Sequence, residues 1–514
     1  MLSKVNSAAV VGLSAIPIYI ENDSVDGKDL SIFIVGLPDN AVRESQTRVR
    51  SAIFNAHLRI PNKHFNINLA PADLKKEGTA FDLPIAVGML AVCNLVEHQL
   101  LEKTMIVGEL GLDGSIRPIK GALPIAIQAR KSQFENLIVP IDNVHEAAVV
   151  NNLKVYGATC LTEVVDFLNG KPSLEQTIIN TREEFAQAQM ENVLDFCDVK
   201  GQENVKRALE VAAAGNHNVI LIGSPGCGKS MMAKRLPSIL PQLTLSESLE
   251  TTQIHSIAGK LGKDVGLITQ RPFRSPHHTI SDVALIGGGT NFQPGEISLA
   301  HNGVLFLDEL PEFSRSALET MRQPLEDCEI TISRTKYSET LPCNFMLVAS
   351  MNPCPCGYHN DMTHQCTCTP GQIQRYMSKV SGPLLDRIDI QCEVQSVPFA
   401  ELSKMQPGET SAAIRQRVVA ARNIQQERFK NFKGIHSNAQ MTEKMIHQYA
   451  EPDAASVNML RQAMEMLKLS ARAYTRILKV SRTIADLEGS EKVQSHHIAE
   501  AISYRNLDRS DWAE

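Results

Sequence analysis

The sequence predicts a multidomain α/β protein: a mixed α and β domain, a core built on a parallel sheet, and a helical C-terminal domain. At roughly 100–200 residues per domain, its 514 residues predict about three domains. Apolar β-branched runs alternate with helical periodicity until residue 395, and helical periodicity prevails after it. These shifts divide the chain into a first domain at 1–170, a polar linker at 171–195, a core at 196–395 and a helical domain at 396–514.

The three domains differ in how strands and helices follow one another. In the first domain the strand candidates are Ser31–Val35, Phe65–Leu69, Thr104–Gly108 and Asn136–Pro140. Its helix candidates are Asn40–Asn55, Leu83–Leu95 and Gly121–Gln133. In the core, strands rich in Val, Ile and Leu precede Gly/Pro turns and helices, which is typical of a parallel sheet. The last domain has helix candidates at Ala412–Phe429, Asp453–Leu467, Ala473–Leu487 and Ser495–Tyr504.

Composition and charge limit the partners this chain can have. With 51 Lys and Arg against 57 Asp and Glu, the net charge is −6, so any contact with nucleic acid must be confined to local basic patches. The apolar runs Ala8–Ile20 and Leu83–Val96 are shorter than the ~18 residues that span a bilayer, and Pro17 interrupts the first. Most of the 11 cysteines are scattered, as suits a reducing compartment. We therefore expect a cytoplasmic protein without a membrane segment.

A phosphate-binding motif stands between a strand candidate and a helix candidate in the core. After the run Val219–Ile222, it consists of Gly223, Ser224, Pro225, Gly226, Cys227, Gly228, Lys229 and Ser230. Glycines allow successive backbone N–H groups to point at phosphate oxygens. Lys229 is suited to bind the β- and γ-phosphates, and the Ser230 hydroxyl to ligate Mg²⁺. A chance Lys-Ser after a Gly-rich turn is the alternative, which the flanking strand and helix disfavour.

Two carboxylates follow the next buried strand candidate. The run Val304–Leu307 ends in Asp308 and Glu309, which places the acids at the carboxyl edge of the sheet, beside the phosphate loop. Asp308 is suited to hold hydrated Mg²⁺, and Glu309 to polarise an attacking water. A strand that simply ends in two solvated acids is commoner in general. Together with the phosphate motif, however, the pair predicts an NTPase.

Three more segments resemble motifs of the AAA+ ATPases. The strand candidate Met346–Met351 is followed by Asn352. Asn352 resembles the sensor-1 residue of AAA+ ATPases, which orients water against the γ-phosphate. Within Gly382–Asp389, Arg387 resembles the arginine that reaches the γ-phosphate of the neighbouring subunit. Arg472 resembles the sensor-2 arginine, which points back at the nucleotide. Each match alone is weak, and their order around the two phosphate motifs makes them specific.

Further motifs resemble one group of AAA+ proteins. They are Arg274–Ser281, Gly287–Gly289, Pro294–Gly303 and Asn352–Gly357. They look like the magnesium-chelatase-like AAA+ proteins and, more narrowly, the ComM (YifB) family, over essentially the whole chain. The resemblance implies a hexameric ring that uses ATP to move DNA branches in homologous recombination and natural transformation. The alternative that it leaves open is a chelatase-type ATPase that remodels a protein partner.

The same resemblance suggests which residues contact DNA. In this group an insert and a β-hairpin before sensor 1 face the ring's central pore, and the matching segments here are Phe273–Gly289 and Glu329–Cys343. The resulting candidates are Arg334 and Lys336 at the hairpin tip with His277 and His278 on the insert. A solvated surface hairpin is the alternative.

Four cysteines form a compact motif directly after Asn352. Cys354 and Cys356 form one Cys-x-Cys pair, and Cys366 and Cys368 form another. Four thiolates at this spacing can close around Zn²⁺ tetrahedrally, with His359 or His364 as possible replacements for one cysteine. Disulfides and free reactive thiols are the alternatives. We expect a structural zinc site that holds the loop beside Asn352.

The first domain resembles the proteolytic domain of Lon proteases, a ribosomal-protein-S5-like α+β fold. The matching segments are Ile67–Pro71, Lys76–Ala80, Val107–Leu110 and Gly114–Ile119. The position of the nucleophilic serine is matched by Ala80, and that of the catalytic lysine falls near Leu123, with Lys120 three residues earlier. A Ser–Lys dyad needs both groups within hydrogen-bond reach. We therefore expect a catalytically silent domain, which disfavours an ATP-dependent protease.

Overall fold

The chain divides into two structural units. The structure is a computed structural model that describes residues 2–181, 183, 185, 194–289, 292–334, 337–359, 361, 364–395, 408–432, 434–467 and 469–505, with the backbone alone at Arg334 and Tyr337. The first unit comprises Met1–Ala188 and Thr244–Thr269. The second comprises Gln189–Leu243 and Gln270–Glu514.

The first unit is an eight-stranded mixed sheet with helices on both faces. Its strands are β1 (Ser3–Val11), β2 (Ser14–Asp26), β3 (Ser31–Val35), β4 (Lys63–Ala70), β5 (Thr104–Ile106), β8 (Asn136–Pro140), β9 (Lys154–Ala158) and β10 (Gln176–Thr177), with a separate ribbon of β6 (Glu109–Leu110) and β7 (Ile116–Arg117). The sheet order is β10-β9-β8-β5-β1-β2-β4-β3. Its helices are α1 (Asn40–Asn55), α2 (Asp82–Val92), α3 (His98–Glu102), α4 (Ala122–Lys131), α5 (Val144–Ala148) and α6 (Leu161–Leu168).

Alternation along the strands separates two apolar cores. On β1, Val5 and Ala9 contribute to the core that contains α1 and α2, whereas Ala8 contributes to the core that contains α4. The apolar run Ala8–Ile20 forms part of the β1–β2 hairpin, whose turn contains Gly12 at φ +57°. This long run is therefore accounted for by strand pairing.

A helix that is distant in sequence also belongs to the first unit. Helix α9 (Leu245–Ala258) packs on α4. The Ser256 hydroxyl donates to the buried carboxylate of Glu146, and the N–H of Gly121 donates to the Ser256 carbonyl at 3.1 Å. Burial raises the pKa of Glu146. The domain boundaries predicted from the sequence place this helix in the core domain, 196–395. The sequence pattern of the helix does not indicate that it packs on the first unit.

The second unit is built on a five-stranded parallel sheet. Its strands are β11 (Val219–Gly223), β12 (Phe273–Arg274), β13 (Val304–Leu307), β16 (Met346–Met351) and β17 (Ile390–Val394), in the order β12-β13-β16-β11-β17. Strands β11, β13 and β16 are buried along their length. Because β16 lies between β11 and β13, the carboxyl ends of these three strands meet at one edge. An antiparallel hairpin joins β14 (Glu329–Arg334) to β15 (Tyr337–Pro342).

Helices surround this sheet and form the C-terminal region. Around the sheet lie α7 (Glu203–Gly215), α8 (Lys229–Arg235), α10 (Asp282–Ile286), α11 (Glu296–Leu299), α12 (Arg315–Thr320), α13 (Arg322–Asp327), α14 (Pro370–Met377) and α15 (Gly382–Leu385). The C-terminal helices are α16 (Ser411–Phe429), α17 (Glu443–Tyr449), α18 (Ala454–Leu467), α19 (Ala471–Leu487) and α20 (Ser495–Ser503). The prediction of a parallel-sheet core followed by a helical region is confirmed.

A buried charged group joins the helical region to the sheet. The Asp389 carboxylate, just before β17, forms an ion pair with Arg476 on α19. It also lies 3.2 Å from Nδ1 of buried His217, whose Nε2 is 2.8 Å from the Thr483 hydroxyl. Burial opposes ionisation of Asp389, but Arg476 and His217 hold its pKa well below the usual range. These contacts attach α19 to the end of the sheet.

The Asp389→Asn substitution is expected to lower the free energy of unfolding of the second unit by about 3 kcal/mol, because it leaves a charged partner without its counter-ion. Because the pKa of Asp389 is depressed by folding, its stabilisation is fully present above the unfolded pKa of about 4 and is lost as pH falls below it. Calorimetry at pH 7 and at acidic pH measures both effects. Asp386→Asn is the matched control, because its 3.8 Å pair with Arg472 is exposed. An Asp389→Asn protein with the melting temperature of the wild type would contradict the stabilising role of Asp389.

Candidate active site

The phosphate loop folds as its glycines require. Strand β11 ends at Gly223, and α8 begins at Lys229. Gly226 and Gly228 have φ angles of +80° and +95°, a conformation that other residues adopt only with strain. A Cβ at Gly223 would lie 2.2 Å from the carbonyl oxygen of Val394 on β17. The motif thus forms a tight turn that follows the sheet edge.

Lys229 is held inside this turn. Its Nζ donates to the carbonyls of Gly223 at 2.6 Å and Ser224 at 3.0 Å, and to Oδ1 of Asn352 at 3.2 Å. Burial lowers the pKa of Lys229. The ammonium group therefore has three protein acceptors, and it links the phosphate loop to the residue that follows β16.

The Asp308 carboxylate, which follows β13, is hydrogen-bonded to the helix after β11 and to β16. Its Oδ2 accepts a hydrogen bond from the Ser230 hydroxyl at 2.8 Å, and its Oδ1 accepts one from the Ser350 hydroxyl on β16. A hydroxyl and a carboxylate brought together in this way are the hard oxygen donors that Mg²⁺ prefers. Ser230 and Asp308 therefore fit the ion that this motif uses, and Mg²⁺ there would neutralise phosphate charge.

Glu309 has a backbone conformation that is rare outside glycine. Its φ is +55°, in the left-handed region, which costs a non-glycine residue roughly 1–2 kcal/mol. Its N–H donates to Asp308 Oδ1 at 3.1 Å and lies 3.4 Å from the Ser350 hydroxyl. Its side chain is half-exposed, and Oε2 lies 3.5 Å from Nδ1 of His278. Strained backbone held by neighbouring contacts is typical of functional positions.

Two cavities lie along the phosphate loop. One, of about 330 Å³, is lined by the Lys229, Ser230, Asp308, Glu309 and Asn352 group together with the loop glycines. The other, of about 290 Å³, is lined by Asp198, Val199, Lys200, Gln202 and both Met231 and Met232, again with loop residues. The segment 198–202 was not among the site residues predicted from the sequence. Its signal is the run Asp-Val-Lys-Gly-Gln just before the first helix of the core.

The structure does not place the two candidate arginines among the residues lining these cavities. Arg387 is buried, with Nη2 2.6 Å from Glu326 and Nη1 donating to the Pro383 carbonyl at 2.6 Å. Arg472, at the start of α19, is 64% exposed and 3.8 Å from Asp386. Arg472 is thus exposed at the surface of this chain, whereas an outward role for Arg387 requires its pair with Glu326 to break.

The four cysteines lie together. The Sγ atom of Cys354 is 3.3 Å from that of Cys356 and 3.7 Å from that of Cys366, and all four Sγ atoms lie within 4.8 Å of one another. Sulfurs around a tetrahedral zinc, at Zn–S of about 2.3 Å, are roughly 3.8 Å apart. All 11 cysteines are free, so the disulfide alternative is not seen. The imidazole of His364 lies 3.5 Å from Asp361, and its ring packs at a tilt against that of Tyr358.

The protonation of the thiols differs within the cluster. Burial opposes ionisation of Cys356, but hydrogen bonds from the backbone at Thr367 and Tyr358 and from neighbouring thiols lower its pKa to about 5. Burial raises the pKa of Cys368 to about 12. The cluster thus offers a thiolate at neutral pH, the form that binds metals.

The cysteine loop contacts the phosphate loop directly. The Ser224 hydroxyl donates to Oδ2 of Asp361 at 2.6 Å. A Cβ at Gly357 would lie 2.6 Å from Cδ of Pro225, so the two loops are in close contact. Asp361 was not predicted from the sequence, because nothing in its local pattern indicates a contact 137 residues away.

The candidate DNA-contacting residues are described in part. His277 is exposed and His278 is half-buried on the segment 273–289, with ring centroids 4.1 Å apart. Arg334 is the last residue of β14, and only its backbone is described. Lys336 lies outside the described residues.

In the first unit, the positions compared with the Lon dyad hold Ala80, exposed Lys120 and buried Leu123. The Ala80 carbonyl accepts from the N–H of Gly108 at 2.9 Å. The position of the nucleophile therefore carries no hydroxyl.

Comparison with known proteins identifies the class that this fold and site define. Residues 195–402 match the family described as magnesium chelatase, subunit ChlI. Residues 20–143 match subunit ChlI of Mg-chelatase, and 408–505 match the ChlI C-terminal family. The parallel sheet with its phosphate loop, Asp308 and Glu309 is that of an AAA+ ATPase, a class that uses ATP and Mg²⁺.

Relatives of full length narrow this class. The chain is 44% identical to competence protein ComM of Haemophilus influenzae, over 99% of this chain and 98% of that protein. It is 43% identical to the uncharacterized protein YifB of Escherichia coli, over the same shares. A magnesium-chelatase 67 kDa subunit of Chlorobaculum parvum is 28% identical over 31% of this chain and 24% of its own length. The chain belongs to the ComM/YifB family of magnesium-chelatase-like AAA+ proteins.

No helix in the described part of the chain is long and apolar enough to cross a membrane.

Replacing the Glu309 carboxylate tests whether Glu309 acts in hydrolysis while Lys229 acts in ATP binding. Glu309→Gln should lower the rate of ATP hydrolysis about 10²–10⁴-fold, because an amide cannot take a proton from water. ATP binding, measured with a fluorescent ATP analogue, should stay within about threefold, since Lys229 and the loop remain. Lys229→Ala is the contrasting variant and should lose binding. Wild-type hydrolysis in Glu309→Gln would contradict the role of Glu309.

Proposed function

We propose that this protein is a cytoplasmic, ATP-driven motor that moves branched DNA during homologous recombination and natural transformation. The observation that carries the proposal is identity of 44% over nearly the full length to a competence protein, combined with a cavity that Lys229, Ser230, Asp308, Glu309 and Asn352 line together. A ring of six copies is proposed from the same family.

The proposed chemistry assigns one task to each group. Lys229 leaves the Gly223 and Ser224 carbonyls to bind the β- and γ-phosphates, while Ser230 and Asp308 hold Mg²⁺. Glu309 accepts a proton from the attacking water, which Asn352 orients. Arg472 contacts the nucleotide that is bound by its own subunit. Arg387, after release from Glu326, reaches the nucleotide of the neighbouring subunit.

The two cavities suggest how the rest of the nucleotide binds. The phosphates occupy the cavity of about 330 Å³, beside Lys229. The base occupies the cavity of about 290 Å³, where Val199, Met231 and Met232 provide apolar cover and Gln202 a polar edge. A nucleotide that spans Gly226 and Gly228 would contact both cavities.

DNA contact is assigned to a few groups, as the net charge of −6 requires. Arg334 and Lys336 on the hairpin are proposed to contact the phosphate backbone, with His277 and His278 on the insert. The first unit is proposed to be a catalytically silent Lon-like domain that serves ring assembly or DNA engagement.

A chelatase-type ATPase that remodels a protein partner is the second candidate. It is favoured by the descriptions of the matching families, all of which are magnesium-chelatase subunits. It is disfavoured by the short match to the 67 kDa subunit, 31% of this chain, beside the full-length match to ComM.

Incubation of the purified protein with a fluorescently labelled four-way DNA junction separates the two candidates. The motor should convert the junction to two duplexes only with ATP and Mg²⁺, and Lys229→Ala should abolish the conversion. Arg334→Ala with Lys336→Ala should weaken it, because contacts with phosphate are lost. No junction processing by the wild type, with intact ATP hydrolysis, would favour protein remodelling.

We also propose that Cys354, Cys356, Cys366 and Cys368 bind one structural Zn²⁺. The proposal is supported by their sulfur separations and by the thiolate character of Cys356. Because this loop also contacts Ser224 and Pro225, the ion would hold the phosphate loop in place.

Zinc content checks this site directly. Freshly purified protein should contain about one zinc per chain by mass spectrometry, and Cys356→Ser with Cys366→Ser should lose most of it. The ATP affinity of that variant should fall, because the contact through Asp361 is loosened. Cys160→Ser, outside the cluster, is the matched control. Protein that is free of zinc but binds ATP normally would contradict the assignment.

A further inference from the structure

A third cavity adjoins the catalytic end of the nucleotide site. Its volume is about 730 Å³, and it shares two lining residues, Glu309 and Asn352, with the cavity beside Lys229. The cysteine loop contributes a second part of its lining, which consists of Pro355, Cys356, Thr367 and Cys368. Because Glu309 and Asn352 line both cavities, the third cavity begins where the γ-phosphate of a bound nucleotide would lie.

One face of helix α14 supplies the rest of the lining on the far side from β16. Side chains three and four residues apart lie on the same face of a helix. This spacing relates the four lining residues Gln372, Arg375, Tyr376 and Lys379. Lys379 lies just beyond the helix, in a turn that continues it, since its N–H donates to the Tyr376 carbonyl at 3.2 Å. The local sequence thus directs one polar helix face at the cavity.

Three of these four side chains are held by contacts within the protein. The side-chain oxygen of Gln372 accepts from the N–H of Thr369 at 2.9 Å, in the capping box that begins α14. Nζ of Lys379 lies 3.0 Å from Oε1 of Glu312 and 5.7 Å from the ring centroid of Tyr376. The Tyr376 side chain is itself buried. The positive charge of Lys379 is therefore balanced by the Glu312 carboxylate.

Arg375 is the fourth side chain of this face. It is exposed and lines the cavity, and none of the carboxylates in the described ranges forms an ion pair with it. A guanidinium is charged at every physiological pH, and its planar fork of N–H donors fits two oxygens of a phosphate. A cation without a counter-ion therefore lines the cavity that adjoins Glu309 and Asn352.

We propose that Arg375 binds the inorganic phosphate that hydrolysis releases, and that the third cavity is the route by which this phosphate leaves. In the reaction, the water oxygen bonds to the γ-phosphorus, and the bond from that phosphorus to the bridging oxygen breaks. The bridging oxygen stays on ADP, one water proton passes through Glu309 to solvent, and the other proton stays on the phosphate.

The direction of release follows from what ADP still covers. ADP remains on the loop Gly223–Ser230, so the phosphate is free to depart only on the side of Glu309 and Asn352, where the third cavity lies. Arg375 supplies the charge that attracts a phosphate dianion there. The inference rests on the proposed hydrolysis of ATP at this site, and it does not depend on DNA.

Inhibition of ATP hydrolysis by added inorganic phosphate tests this role in the full-length protein, with ADP formation as the readout. In Arg375→Ala the phosphate concentration for half-inhibition should rise about tenfold, because charge-assisted hydrogen bonds are lost. KM for ATP should stay within about twofold, since Lys229 and Ser230 hold the phosphates of ATP. Arg375→Lys, which keeps the charge but not the fork, should fall between the two. Arg461→Ala, at an exposed position on α18, is the matched control and should match the wild type.

Each other outcome contradicts a different part of the inference. Wild-type hydrolysis that phosphate does not inhibit, or unchanged inhibition in Arg375→Ala, would overturn it. A large rise in KM for ATP in Arg375→Ala would also overturn it, because Arg375 would then bind ATP itself. Hydrolysis that survives Lys229→Ala would overturn the proposed nucleotide site together with this inference. Inhibition that depends on Arg375, in a protein whose hydrolysis does not respond to DNA, would support the phosphate route and contradict the DNA motor.

Discussion

The hydrogen bonds of the Asp308 carboxylate organise the site. Asp308 follows β13, Ser230 belongs to the helix after β11, and Ser350 lies on β16 between those strands. One carboxylate thus ties together the three strands whose carboxyl ends carry the phosphate loop, the acidic pair and Asn352. This arrangement depends on the strand order, because β16 lies between β11 and β13 and the carboxyl ends of these parallel strands share one edge of the sheet.

A second constraint is the cost of a buried ammonium group. The Lys229 ammonium group donates to two loop carbonyls and to the amide oxygen of Asn352, so this cost is offset by hydrogen bonds. Asn352 in turn precedes the cysteine loop, which contacts Ser224 and Pro225. The phosphate loop is therefore enclosed by β16 and by the cysteine cluster, and the integrity of that cluster bears on nucleotide binding.

The sequence is informative where chemistry depends on local pattern. The loop Gly223–Ser230, the Asp308–Glu309 pair and the four cysteines are recognisable from spacing, and the structure brings each group together. Contacts between distant segments are not predictable in this way. The packing of α9 on the first unit, the Asp361 contact and the pair of Arg387 with Glu326 depend on tertiary structure. His278 was predicted to contact DNA, and its proximity to Glu309 is evident only from the structure.

Coupling between DNA and the nucleotide site is the central claim of this account, and the rate of phosphate release measures it most directly. With Mg²⁺ and saturating ATP, a four-way junction should raise the turnover of the wild-type protein severalfold, and linear duplex DNA should raise it less. Turnover that is identical with junction, duplex and no DNA would contradict the account and would leave an ATPase that acts on another substrate.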